Sequence, residues 1–290
     1  MQPMRKREAE TNELPAWSVR GRSLALDRVL VMGIVNVTPD SFADGGRHFD
    51  HAAALAHARQ LIEEGADIID IGGESTRPGA AEVSSAEELG RVVPLVEALA
   101  GAAVPLSVDT SKPEVMRAAL AAGAAIINDV RALQQPGAAE VVAEHDCGVV
   151  LMHMQGTPGT MQQAPYYRDV TKDVVQFLAQ RVQYARARGI EARRIAIDPG
   201  FGFGKTDAHN FMLLSELSEL GRMQVPIVVG LSRKSMLGKA SGRAVADRAA
   251  ASVAAALLAA ERGANIVRVH DVAATRDALS VLKAMQDAAA

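Results

Sequence analysis

Eight short apolar runs recur along the chain, and each is bounded by residues that favour turns. They are rich in Val, Ile and Leu and lack strict apolar/polar alternation, which is typical of parallel strands buried on both faces. The runs span residues 29–37, 67–73, 104–110, 125–130, 148–154, 194–200, 226–232 and 265–272. The pattern therefore predicts eight parallel strands.

Helical segments separate these runs, with recognisable signals at their ends. Ser85 with Glu88, and Ser111 with Glu114, have the spacing of a capping box. The sequences "GADII", "GAAII" and "GANIV", beginning at positions 65, 123 and 263, repeat one helix-to-strand junction. One βα unit repeated eight times within ~250 residues predicts a closed (β/α)8 barrel, the TIM-barrel architecture. An open α/β sheet is the alternative.

The chain is predicted to form a single catalytic domain over residues 21–290. Residues 1–20 are charged and have no apolar core, so they are predicted to form a flexible N-terminal extension and not a signal peptide. The short stretch "SLALD", residues 23–27, is predicted to form a hairpin strand at the bottom of the barrel.

Composition narrows the class of ligand. The 290 residues include 31 Lys and Arg against 34 Asp and Glu, a net charge of -3, which leaves no electrostatic footprint for nucleic acid and favours a small ligand. The single cysteine, Cys147, cannot form an internal disulfide, so nothing indicates an oxidising compartment. The uncharged run at residues 249–260 is shorter than the ~20 residues of a membrane span. We therefore expect a cytoplasmic protein that does not contact a membrane.

Every apolar run ends in polar residues, which a buried core would not favour. In chain order these are Asn36, Glu74 to Arg77, Asp109, Asn128, His153, Asp198, Ser232 to Lys234, and Arg268 with His270. In a parallel barrel these ends converge on the face where active sites lie. One polar residue at a strand end commonly caps the next helix, but eight such ends together predict a functional site.

The polar strand ends divide by charge. Asp109, Asn128 and Asp198 offer acceptors suited to a flat heterocycle with several N–H donors. A second set, predicted to lie on the other side of the site, is cationic and suits phosphate or carboxylate oxygens. Its members are Arg77, Arg233, Lys234, Arg268 and His270.

Two loops need separate interpretation. The first, "NVTPDSFADGG" at residues 36–46, offers oxygen ligands from Asn36 and from Asp40 or Asp44 that would suit Mg²⁺; a Thr-Pro-Asp turn is the alternative. The second, "IAIDPGFGFGKTDAHN", misses both the P-loop and the dinucleotide templates. Lys205 in that loop is either one more cation of the site or a solvated surface lysine.

Seven motifs of the chain together resemble the bacterial dihydropteroate synthase family. They run in order from about residue 30 to 272, and the family's site positions are all matched. The motifs are "GIVNVTPDSFADGG", "DIGGESTRPGA", "SVDTSKPEV", "INDV", "IDPGFGFGK", "GLSRKSMLG" and "RVHDV". The resemblance implies a transferase of folate biosynthesis that joins 6-hydroxymethyl-7,8-dihydropterin pyrophosphate to p-aminobenzoate, with release of pyrophosphate.

The resemblance also implies a role for each site residue. The pterin would be held by Asp109, Asn128, Asp198 and Lys234. The pyrophosphate would be held by Arg268, His270 and, through Mg²⁺, Asn36, with Asp44 as a second metal ligand. The p-aminobenzoate would lie among Thr76, Arg77, Phe203 and Ser232. Lys234, Arg268 and His270 are the predicted catalytic residues, and the turn "DPGFGFGK" would bring Phe203 and Lys205 over the site.

Two further expectations come from the resemblance, and two alternatives to it remain. It implies a homodimer, for which the alanine-rich segment 246–263 is a candidate interface, and a target of sulfonamides that mimic p-aminobenzoate. A pterin-dependent methyltransferase of the corrinoid kind is one alternative, although it would not need the loop "NVTPDSF". A catalytically silent paralogue that only binds a pterin is the other.

Overall fold

Each of the eight apolar runs forms a strand in the computed structural model, which describes residues 16–38, 51–75, 79–80, 82–157 and 159–289. A separate two-stranded hairpin precedes them. The strands are β1 (Ala16–Val19), β2 (Arg22–Ala25), β3 (Leu30–Asn36), β4 (Ile68–Gly72), β5 (Leu106–Asp109), β6 (Ile126–Asp129), β7 (Gly148–Met152), β8 (Ile195–Asp198), β9 (Val228–Val229) and β10 (Ile266–Val269).

Helices connect the strands and surround them. They are α1 (His51–Glu63), α2 (Ser85–Leu99), α3 (Pro113–Ala122), α4 (Ala138–Glu144), α5 (Val170–Ala187), α6 (Asp207–Ser215), α7 (Ser235–Ser241), α8 (Ala249–Glu261) and α9 (Val272–Ala289). Short 3-10 helices lie at Ala192–Arg194, Leu217–Met223 and Val245–Asp247. Among the described residues, no helix has the length and apolar character that a membrane crossing requires.

The strands from β3 to β10 form one parallel sheet whose order is β8-β7-β6-β5-β4-β3-β10-β9. The two ends of this order meet where Ile197 pairs with Ile227 and donates its N–H to the carbonyl of Pro226 at 2.8 Å. The sheet is therefore a barrel and not an open sheet, which confirms the predicted (β/α)8 architecture.

The register of the strands places polar residues at one rim. Asn36 lies opposite Gly72, Gly72 opposite Asp109, and Asp109 opposite Asn128. Met152 lies opposite Asp198 in the same way. Because all eight strands are parallel, their carboxyl ends share this rim, as the sequence pattern predicted.

The β1–β2 hairpin closes the opposite end of the barrel. Trp17 and Val19 are fully buried against the amino-terminal ends of the strands. The Trp17 indole N–H donates to the carbonyl of Arg194 at 2.9 Å. A Cβ at Gly148 would lie 2.6 Å from Val19, so a glycine is needed there. The hairpin predicted at "SLALD" is confirmed. The predicted boundary at residue 20 falls inside this hairpin, because Ala16–Val19 packs as part of the barrel; residues 1–15 of the predicted extension lie outside the described residues.

Both predicted capping boxes are wrong: the cap of α2 lies one residue earlier, and α3 has no side-chain cap. Helix α2 is capped by Ser84, whose side chain accepts from the N–H of Glu87, so Glu88 is instead buried and bonded to Lys112. Helix α3 has no side-chain cap, and the Ser111 hydroxyl donates to Asp129. In both places a long-range partner competes for the side chain that the local pattern assigned to the helix end.

Candidate active site

Polar side chains from β5, β6, β8 and β10 meet at the carboxyl-end rim of the barrel. Two glycines, Gly72 at the end of β4 and Gly230 just after β9, lie among them. A Cβ at Gly72 would lie 3.8 Å from Asn36 Oδ1 and 3.9 Å from Asp109 Oδ2, and one at Gly230 would lie 4.0 Å from Asp198 Oδ2. This part of the rim, here called the mouth, is therefore lined by carboxylate and amide oxygens.

A buried aspartate that the sequence analysis did not select organises one side of this mouth. Asp70, in the middle of β4, is 0% exposed and accepts hydrogen bonds from Ser107 Oγ at 2.6 Å and Asn128 Nδ2 at 3.2 Å. Arg268 Nε donates to Asp70 at 2.5 Å, and Arg268 Nη2 donates to Asp109 at 3.0 Å. A carboxylate inside an apolar run is rarely buried without a partner, so the run "DIIDIGG" carried a signal for this residue.

The predicted separation of acceptors and cations is wrong. Arg268 lies between Asp70 and Asp109, among the acceptors, because both carboxylates need a counter-ion when they are buried. Arg233 pairs with Asp271 at 2.7 Å and is partly exposed. The site is therefore an interleaved set of opposite charges rather than two facing halves.

Burial sets the ionisation of the two rim aspartates. It raises the pKa of Asp109 to about 7, while the charge of Arg268 opposes the increase and that of Asp70 adds to it. Burial also raises the pKa of Asp198, opposed by the charge of Lys234. Gly200 N–H donates to Asp198 Oδ1 at 2.7 Å, which orients the carboxylate. Each carboxyl is therefore a weaker acid than an exposed aspartate, and its unprotonated form can accept N–H donors from a ligand that enters the mouth.

Lys234 and Phe203 lie next to each other, and Lys234 is close enough to Asp198 for their charges to interact. The Lys234 ammonium donates to the carbonyl of Phe201 and lies 4.6 Å from the centroid of the Phe203 ring, a cation–π distance. Burial lowers the pKa of Lys234 to about 8, against the opposing charge of Asp198. Lys234 is therefore a cation near neutral pH that can lose its proton in the mildly alkaline range.

Ser232 and His270 form a third pair at the rim. Ser232 Oγ lies 2.9 Å from His270 Nδ1 and also accepts from the backbone N–H of His270 at 3.2 Å. The two residues follow β9 and β10, which are neighbours in the sheet. Strand pairing therefore brings together two predicted site residues that are 38 positions apart in the chain.

Of the remaining predicted site residues, one lies at the rim and three lie outside the described residues. Asn36 ends β3 at the rim, beside Gly72. Asp44, Thr76 and Arg77 lie outside the described residues. Within the described ranges, no group of three or more His, Cys, Asp or Glu side chains could hold a metal ion.

Lys205 is neither a surface lysine nor a cation over the site. It is buried, and its ammonium lies 2.9 Å from His153 Nδ1, behind the turn that carries Phe203. The ring of His153 packs edge-on against Phe177, with centroids 4.9 Å apart. His153 therefore supports the turn from within, although its strand-end position suggested a ligand contact.

Comparison with known proteins agrees with this geometry. Residues 32–270 match the model of the family described as pterin binding enzyme. The chain is 51% identical over 266 residues to the dihydropteroate synthase of Escherichia coli K12, covering 91% of this chain and 94% of that protein.

Two solved structures from Xanthomonas albilineans are similar in both sequence and fold. Its dihydropteroate synthase with 4-aminobenzoic acid superposes with a TM-score of 0.88 and 57% identity, over 93% of this chain and 98% of that one. The same enzyme in complex with 7,8-dihydropteroate gives a TM-score of 0.84 and 56% identity, over 92% and 97%. The chain therefore belongs to the pterin binding enzyme family, and within that family to the dihydropteroate synthases.

Proposed function

We propose that the chain joins 6-hydroxymethyl-7,8-dihydropterin pyrophosphate to p-aminobenzoate, giving 7,8-dihydropteroate and pyrophosphate. The observation that carries this proposal is the cluster of acceptors at the barrel mouth, the buried Asn128 and Asp198 and the partly buried Asp109, next to the cations Lys234 and Arg268. The relatives with 4-aminobenzoic acid and with 7,8-dihydropteroate support the same substrates.

The pterin binds between the carboxylates and Lys234. Asp198 accepts hydrogen bonds from the 2-amino group and the N3–H of the ring, because a carboxylate has two oxygens that can meet two parallel donors. Asp109 and Asn128 contact the other polar edge from the neighbouring strands. Lys234, which lies beside Asp198, donates hydrogen bonds to acceptor atoms of the ring. Its ammonium group thereby places a positive charge next to the ring.

Arg268 has a double role in this proposal. Two of its N–H groups bond Asp70 and Asp109, and a guanidinium has five. The remaining donors can meet the pyrophosphate. His270, oriented by Ser232, supplies a further donor to the same group. These two residues stabilise the negative charge that develops on the departing pyrophosphate.

We propose Mg²⁺ as the cofactor of this site. This ion is commonly bound through one or two protein oxygens, several waters and substrate phosphates. The side-chain oxygen of Asn36 lies at the mouth close to Gly72 and Asp109, and Asp44 is the proposed second ligand. When bound, Mg²⁺ adds positive charge where pyrophosphate leaves.

The second substrate lies beside Phe203 and Ser232, together with Thr76 and Arg77. Its aromatic amine is uncharged at neutral pH, so the reaction needs no strong general base. The barrier lies in breaking the C–O bond, whose electron pair leaves with pyrophosphate, as the new C–N bond forms; the nitrogen then loses one proton to water. The electron-rich dihydropterin stabilises positive charge at its exocyclic methylene, and no covalent enzyme intermediate is involved.

The test is product formation by the purified protein given the pterin pyrophosphate, Mg²⁺ and p-aminobenzoate, with the amine omitted in a parallel sample. Dihydropteroate should form only with the amine, and a chelator should abolish it. Asp198→Asn should weaken binding of the pterin pyrophosphate, measured by calorimetry, by roughly tenfold to a hundredfold, since hydrogen bonds to a charged group contribute ~1.5–3 kcal/mol. Asp207→Asn, which alters an exposed ion pair with Lys239, is the control and should leave the affinity for the pterin pyrophosphate unchanged.

The alternatives give different results in this assay. Tight binding of the pterin without product would indicate a silent paralogue. Methyl transfer from a reduced pterin, without pyrophosphate release, would indicate a methyltransferase. If Asp198→Asn leaves both turnover and pterin affinity unchanged, the assignment of the pterin pocket is wrong.

The proposal extends to assembly and location. We propose a cytoplasmic protein that forms a homodimer through the alanine-rich helix α8. Ala255, Ala256 and Ala259 of this helix pack inward, whereas Leu258 is exposed. Val245, just before this helix, is also exposed. Light scattering coupled to gel filtration tests the dimer, and Leu258→Glu should shift the protein toward the monomer.

A further inference from the structure

The turn at residues 199–205, here called the glycine turn, joins β8 to α6 and packs on the segment after β7. Gly200, Gly202 and Gly204 have positive φ angles of 67°, 79° and 62°. A Cβ at Gly200 would lie 1.9 Å from the carbonyl oxygen of His153, and one at Gly204 would lie 2.5 Å from that of Gln155. The backbone of the turn therefore docks directly on the backbone of its neighbour.

Side chains bond the carbonyl oxygens of the glycine turn. Each of the six consecutive carbonyls from residue 200 to 205 accepts a hydrogen bond from a side chain. In order, the donors are Lys205, Lys234, Gln162, Lys205 again, Tyr167 and Asn210. Buried carbonyls outside regular structure need such partners, so the path of the turn depends on these donors.

Two of the six bonds come from one buried ammonium group. Lys205 is 2% exposed, and its Nζ lies 2.9 Å from the Gly200 carbonyl, 3.1 Å from the Phe203 carbonyl and 2.9 Å from His153 Nδ1. An ammonium has three donors and no acceptor. The two carbonyls accept from Lys205 Nζ, and His153 Nδ1 is its third polar partner, so three contacts fix its position.

Burying this lysine is unfavourable. Burial lowers the pKa of Lys205 well below its ordinary value, and the charge of Lys234 lowers it further, while that of Asp198 opposes the change. Burial also lowers the pKa of His153 to about 2, which keeps its ring neutral. Groups with such unfavourable burial concentrate at functional sites.

Both carbonyls bonded by Lys205 lie next to residues of the candidate site. The N–H of Gly200 donates to the Asp198 carboxylate, and the ring of Phe203 lies beside Lys234. We propose that Lys205 is a positioning residue that sets the Asp198 carboxylate and the Phe203 ring relative to each other. This inference rests on the function proposed above, because it assigns Asp198 to the pterin and Phe203 to p-aminobenzoate. Lys205 itself touches neither substrate.

The test is Lys205→Met, which keeps most of the side-chain volume and removes all three hydrogen bonds. The Kd for the pterin pyrophosphate, measured by calorimetry with Mg²⁺, and the KM for p-aminobenzoate should both rise by about tenfold or more, since small displacements of site groups have effects of this size. Urea unfolding and circular dichroism establish that the variant is folded under the assay conditions. If it is not, Lys205→Gln is tested instead. Its shorter side chain keeps an amide donor but cannot reproduce all three contacts, so the Kd and the KM should again rise.

Arg194→Met is the matched control. Arg194 is also a buried cation, 5% exposed, and its guanidinium bonds the backbone carbonyls of Val142, His145 and Cys147 near the hairpin end of the barrel. This control should lose stability without a change in either constant. It therefore separates loss of a buried cation in general from loss of the one beside the site.

The outcomes distinguish this inference from the function on which it rests. If folded Lys205→Met has the same Kd and KM as wild type, Lys205 is purely structural and the inference is overturned, while the function stands. If the wild type forms no dihydropteroate, the proposed function fails, and the Kd comparison of the two variants alone decides the role of Lys205.

Discussion

Replacing Arg268 with Met should destabilise the protein strongly, apart from any effect on catalysis. Arg268 is the counter-ion of two carboxylates, at 2.5 Å from Asp70 and 3.0 Å from Asp109. Asp70 is fully buried and would keep only its bonds from Ser107 and Asn128. Removing one partner of a buried pair lowers the free energy of unfolding by about 3–5 kcal/mol, and the two remaining bonds favour the lower end of that range.

The loss should depend on pH. Burial already raises the pKa of Asp109 to about 7, and Arg268 opposes the increase, so the variant raises this pKa further. A carboxyl whose folded pKa exceeds its unfolded value stabilises the fold at low pH, and that contribution is lost as pH rises through the folded pKa. The deficit of the variant should therefore be smaller at pH 5.5 than at pH 8.5.

Urea unfolding of the ligand-free protein at both pH values measures this prediction. A double-mutant cycle with Asp70→Asn isolates the pair, and the double variant should be more stable than the sum of the single losses by about 1–3 kcal/mol. If Arg268→Met loses less than about 1 kcal/mol at pH 8.5, the range of an exposed pair, and shows no dependence on pH, Arg268 does not stabilise a buried carboxylate.

Three further predictions follow from other parts of the structure. For the pterin pyrophosphate, kcat/KM should fall above pH about 8 as Lys234 loses its proton, and Lys234→Met should lack this alkaline limb; a stopped pyrophosphate-release assay across pH shows either result. Trp17→Ala should reduce the free energy of unfolding by about 3–5 kcal/mol, as for other buried aromatics, and leave both KM values unchanged; altered KM values would mean that the hairpin affects the site. Lys112→Met should lower the denaturation midpoint, because it leaves the fully buried Glu88 without its counter-ion, whereas Lys239→Met, at an exposed pair, should not.

The sequence alone was sufficient for the architecture. Continuous apolar runs and repeated junctions are local properties, and burial of such runs on both faces requires parallel strands covered by helices. The shared rim of the candidate site followed from the same pattern, because the carboxyl ends of parallel strands necessarily lie together. This is why Asp109, Asn128 and Asp198 could be placed at one mouth before any contact was known.

Tertiary structure decided which of these groups touch. Arg268 and Asp70 are 198 positions apart and meet inside the barrel, so no local pattern could pair them or reveal that a cation lies among the acceptors. The same holds for Lys205, whose burial depends on how two neighbouring turns pack, and for Ser111, which bonds Asp129 instead of capping a helix. Hydrophobic periodicity determines where chain segments are buried, whereas the partner of each buried charge depends on which segments the closed barrel brings together.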